Sequence, residues 1–138
     1  MKCTEINGPG NFDCWEPARL QELEEEKISD SLGQNLLFEN TNIRVWEVVL
    51  FPGERLPFRK IRESYNFTST TDGLAISRYA DGKIKLVQLE KGEAIFIEHN
   101  GNESIYDFEN IGKNILFLHA MEFKPLVDHS KGLNMRLL

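Results

Sequence analysis

The stretch Gly53-Glu54-Arg55-Leu56-Pro57-Phe58-Arg59-Lys60-Ile61-Arg62-Glu63-Ser64-Tyr65-Asn66-Phe67-Thr68-Ser69-Thr70-Thr71-Asp72-Gly73 decides how this chain of 138 residues is read. It opens on the turn dipeptide Pro52-Gly53, closes on Thr71-Asp72-Gly73, and holds a strand candidate over residues 64–70. The same rhythm continues on both sides. Upstream, residues 35–39 and 43–50 are rich in β-formers. Downstream, residues 74–79, 84–89, 94–98, 103–109 and 114–123 read as strands, with Ala80-Asp81-Gly82, Glu90-Lys91-Gly92, Asn100-Gly101-Asn102 and Ile111-Gly112-Lys113 as turns between them. About eight short strands with Gly-containing turns predict an antiparallel sandwich or barrel.

Before residue 35 the pattern differs. Residues 1–14, with Gly8-Pro9-Gly10, read as irregular, and residues 16–28 read as a helix opened by Pro17. Leu20, Leu23 and Ile28 give that helix only a thin apolar stripe, so it needs a surface to lie on. The net charge of −6 belongs wholly to this part: residues 1–40 hold nine acids and three bases, and residues 41–138 hold 13 of each sign. Clustered positive charge is missing, which argues against a nucleic-acid partner. No stretch approaches the roughly 18 apolar residues of a membrane helix, and the first residues lack an apolar signal core, so the expected location is the cytoplasm. Cys3 and Cys14 are then expected to be free thiols.

Residues about 36–124 resemble the cupins, small β-barrels of the jelly-roll type. One common form of the family's first motif is G-x5-H-x-H-x4-E-x6-G. Here Gly53, Arg59, Ile61, Asn66 and Gly73 stand at its five positions. In the second motif, Lys91-Gly92-Glu93 opens a strand, Asn110-Ile111-Gly112 closes it, and Tyr106 or Ser104 takes the histidine position. Arg44-Val45-Trp46-Glu47-Val48 followed by Pro52-Gly53-Glu54 is similar to cupins associated with β-alanine degradation. The resemblance implies an all-β fold, a single cupin-type barrel over residues 35–124. An acidic extension, 1–34, with one short helix precedes it, and a tail, 125–138, follows it. It also implies pairing of barrels into a homodimer.

The frame is kept while the family's metal ligands are not. Arg59 offers no lone pair, Ile61 has no donor atom, and Asn66 and Tyr106 are poor substitutes for imidazole. No metal and no cofactor is therefore expected. An inward Arg59 instead calls for an anion, either a ligand or an internal acid such as Glu47. Arg62, next to Ile61, reads as a solvated charge at the mouth. His119 shares strand parity with Phe117 and Met121 and is either a core histidine or an acid–base group.

Three functions follow. The preferred one is a metal-independent protein binding a small anionic, carboxylate-type metabolite through Arg59, Asn66, Tyr106, His119 and Glu47. The second is a metal-free isomerase or lyase using Tyr106 and His119 as its catalytic pair. The third is a degenerate, non-catalytic cupin in which the extension serves assembly.

Overall fold

The computed structural model describes residues 1–25 and 27–125. All of the tail read from sequence over 125–138, except its first residue, lies outside them. Two five-stranded antiparallel sheets face each other. Sheet I has the order β1 (Lys2–Asn7), β7 (Ile84–Leu89), β6 (Gly73–Arg78), β9 (Ser104–Asn110), β4 (Arg55–Ile61). Sheet II has the order β2 (Asn35–Glu39), β3 (Ile43–Leu50), β10 (Leu116–Phe123), β5 (Tyr65–Ser69), β8 (Ala94–Ile97). Two strands went beyond the sequence reading. Residues 2–7 are not irregular but add β1 to the edge of sheet I, against β7. The Pro57-bearing segment forms β4, at the opposite edge, where a strand tolerates proline.

Between the sheets, Val48, Leu50, Leu56, Ala75, Val87, Leu89, Leu116 and Leu118 fill one end of the barrel. Leu32, Ile61, Tyr65, Tyr106 and Ala120 fill the other. The helix α1 (Pro17–Leu23) is shorter than expected. Glu24 and Glu25 follow it, and acids at a helix C-terminus oppose its dipole.

The surface that α1 needs is the outer face of sheet I. Leu20, Leu23 and Ile28 pack with Phe12, Trp15, Phe58 and Ile84, and the Trp15 and Phe58 rings stack at 6.0 Å. A charge network locks this coat in place. The Glu22 carboxylate accepts two hydrogen bonds from the Arg55 guanidinium, at 2.8 and 3.1 Å, and one from the Phe58 amide at 3.0 Å. Arg55 also reaches the fully buried Asp107, which pairs in turn with Arg78 at 2.7 Å. Burial works against the Glu22 charge, but Arg55, the Phe58 amide and Arg19 outweigh it and hold its pKa below the usual carboxylate value. Part of the acidity of the N-terminal third is thus consumed within the fold.

Among the described residues, nothing packs on the outer face of sheet II in the same way. Its outer face presents Phe38, Phe96 and Met121, which are 53%, 55% and 39% exposed.

Candidate functional site

Arg59 reaches the interior because β4 is irregular. Its pairing with β9 shifts register between Leu56 and Arg59, so both of these side chains are buried while Phe58, between them, packs under α1. Arg59 sits opposite Tyr106 on β9. Strand alternation sends Tyr106 and Phe108 into the barrel and Asp107 out into the charge network.

Arg59 is 5% exposed and, among the described residues, pairs with no acid. Its guanidinium donates to the backbone carbonyl of Leu32, its Cζ lies 5.9 Å from the Tyr106 ring centroid, and its buried Nε has no hydrogen-bond partner. Burial pulls its pKa down, with the Tyr65 and Tyr106 side chains acting in the opposite direction. Beside it lies a cavity of about 60 Å³, lined by Leu32, Leu56, Tyr65, Tyr106, Phe108 and Leu118 among others.

Tyr106 is the hub of the polar groups. Its hydroxyl lies 2.8 Å from that of Tyr65 and 3.1 Å from Nε2 of His99. Burial pushes both phenol pKa values upward, so the two groups stay protonated at neutral pH. Burial lowers the pKa of His99, opposed by a hydrogen bond to the Asn102 backbone and by the charge of Glu63. Ser64 Oγ fixes the loop that carries His99 by accepting the amides of His99 and Asn100, at 2.8 and 3.2 Å.

The sequence-based site is therefore partly rearranged. Arg59 and Tyr106 meet as expected. Asn66 does not: it is exposed, and Tyr65 points inward in its place, one residue earlier. Glu47 faces outward, where its carboxylate accepts from the Asn35 amide at 3.2 Å, so it is not the internal partner of Arg59. His119 alternates with the inward Leu118 and Ala120 and packs on Phe117, on the outer face of sheet II. It does not line the cavity that Tyr106 lines, so the two cannot act as a pair on one ligand there. Arg62 is exposed and pairs with Glu103 at 3.1 Å. His99 and Tyr65, neither singled out from sequence, take the vacated places. Of the two buried acids, Asp107 belongs to the charge network and Glu122 accepts from the Trp46 indole at 2.8 Å beside an open cleft of about 640 Å³.

No family model matches the sequence, and no curated protein matches it. Solved structures do match. A cupin domain from Bordetella pertussis superposes with a TM-score of 0.58 at 18% identity, over 73% of this chain and 100% of its own. A cupin domain from Schizosaccharomyces pombe gives 0.53 at 14% identity, over 70% of this chain and 67% of its own. An RmlC-like cupin family protein with a double-stranded β-helix fold, from Methanocaldococcus jannaschii, gives 0.52 at 16%, over 64% and 76%. The fold is that of the cupins.

A cupin metal ion would need lone-pair donors converging in the barrel. In this cupin barrel the corresponding strands present a guanidinium, an isoleucine and two protonated phenols. Among the described residues no three His, Cys, Asp or Glu side chains gather to hold an ion. The residues present do not fit the group.

Proposed function

We propose that this protein is a metal-independent cupin-fold protein that binds a small carboxylate-type anion inside its barrel, with Arg59 as the anchor. The observation that carries this reading is a buried guanidinium that, among the described residues, has no acid beside it and one N–H unmatched, next to an internal cavity. A buried charge without a counter-charge costs several kcal/mol, and a carboxylate is the planar acceptor that a guanidinium fork matches. Tyr65 and Tyr106, held protonated, supply further donors. A thermal-shift series with small carboxylates tests the reading: stabilisation should appear and should vanish in Arg59→Ala.

A second reading rests on the hydrogen-bonded line from His99 through Tyr106 to Tyr65. It replaces the pair expected from sequence and supports metal-free proton transfer on the bound acid, with His99 as the neutral base. Solvent deuterium entering the α-position of a bound carboxylate, and failing to do so in Tyr106→Phe, is its signature. The exposed Phe38, Phe96 and Met121 on the outer face of sheet II support pairing into a homodimer, and a cytoplasmic location belongs to the same proposal.

A further inference from the structure

Residues 28–34 cross the mouth of the barrel as a strap that is fastened at both ends. At one end the Lys60 amide donates to the Ser29 carbonyl at 2.8 Å. At the other, the Gln34 amide donates to the Glu47 carbonyl at 3.1 Å, and Gln34 Oε1 accepts from the Val49 amide at 2.6 Å. Between them Leu32, 3% exposed, is held by two contacts inside the barrel. Its carbonyl receives the Arg59 guanidinium, and its side chain packs with Ile61, Tyr65, Tyr106 and Ala120. An oxygen acceptor on Arg59, joined to a branched four-carbon group in the apolar space, has the form of a short aliphatic acid.

We infer that Leu32 is an internal stand-in for the ligand, and that the site takes a short-chain aliphatic monocarboxylate which displaces it. The inference rests on the Arg59 reading and narrows it. The ligand carboxylate replaces the Leu32 carbonyl on Arg59, and its chain replaces the isobutyl group. Size follows from the space available. A dry cavity of about 150 Å³ accommodates the six carbons of benzene, so the 60 Å³ present suits two or three atoms. The four side-chain carbons of Leu32 vacate room for the rest. The sum is about six or seven non-hydrogen atoms, the size of butyrate or isovalerate. Polarity sets the class further. Leu56, Phe67, Phe108, Leu118 and Ala120 line the chain end, so a hydroxyl or ammonium there would lose its hydrogen bonds. Sugars, phosphates and amino acids are disfavoured on that ground.

Isothermal titration calorimetry of the full chain with isovalerate, isovaleramide, octanoate, β-alanine and inorganic phosphate tests this. Isovalerate should bind, and the other four should bind at least tenfold more weakly. Leu32→Ala, which weakens the internal competitor, should tighten isovalerate roughly tenfold, because a larger share of molecules is open. Ala120→Leu fills the cavity without touching Arg59 and should weaken isovalerate at least tenfold, so the inference remains testable even if Leu32→Ala misfolds. If β-alanine or phosphate binds through Arg59 and isovalerate does not, the aliphatic assignment falls while the anion site stands. If no anion binds, or Arg59→Met leaves binding unchanged, both fall. Unaltered affinity in a folded Leu32→Ala overturns the displacement.

Discussion

Nε2 of His99 lies 3.1 Å from the Tyr106 hydroxyl, and the two rings stack with centroids 5.9 Å apart. This contact ties a turn histidine to the centre of the barrel and gives stability a pH dependence. Burial lowers the imidazole pKa in the folded state below its ordinary value of 6.5. The unfolded chain therefore binds the proton more readily. The stabilisation is complete above the unfolded value and is lost as pH falls below it, toward the lower folded value. Thermal melts should decline between pH 7 and pH 5 more steeply for the wild type than for His99→Gln. Parallel curves would refute the assignment.

Arg59 should lower the stability of the free protein. Replacing a buried charge by an apolar side chain of similar shape is often stabilising by about 1–4 kcal/mol. The Leu32 carbonyl loses its donor, which offsets part of the gain. Arg59→Met is thus expected to raise the melting temperature by a few degrees in carboxylate-free buffer. A calorimetric scan showing a clear decrease would mean that the guanidinium is well compensated after all.

Asp107 behaves in the opposite way. It is fully buried, and both Arg55 and Arg78 depend on it. Asp107→Asn keeps the volume but leaves Arg55 with Glu22 and Arg78 with Glu109 as their remaining acids, at a cost of about 1–3 kcal/mol. Urea titration should show that loss, and the α1 coat should come away with it, since Arg55 is also the anchor of Glu22.

The outer face of sheet II makes a prediction about mass. If the proposed homodimer forms there, light scattering of the wild type should give about twice the 15.9 kDa of one chain. Met121→Lys, on a side chain already 39% exposed, should return the single-chain value without lowering the melting temperature of the monomer.

Both Arg59 and Tyr106 face into the barrel, as the glycine frame led one to expect, but Arg59 does so through the register shift in β4, which no residue pattern in the sequence announces. Asn66 failed by one residue. The loop over 62–64 sets where β5 starts, and a one-residue slip sends every side chain to the other face. His119 failed because β10 reads Leu-Phe-Leu-His-Ala-Met-Glu-Phe, apolar on both faces, so alternation could not say which side was inside. The expectation that apolar means inward broke on the uncovered face, where Phe117 and Met121 lie. His99 carried no signal: it follows β8 in a turn, and only the tertiary packing of Ser64 and Tyr106 gives it a role. β1, Lys-Cys-Thr-Glu-Ile-Asn, is an edge strand too polar to show a buried side.

The strap has one more consequence, mechanical in kind. Ile28 belongs to the outer cluster with Trp15 and Phe58, and four positions later Leu32 is inside the barrel. A single tether thus joins two compartments on opposite sides of sheet I. If a ligand lifts Leu32 as proposed and the pull breaks the Lys60–Ser29 bond between them, the seat of Ile28 slackens, and with it the docking of α1. On that proposal the exterior of this barrel becomes a dial for its contents: a change in amide exchange along Pro17–Leu23 would register an event that takes place on the far side of a β-sheet.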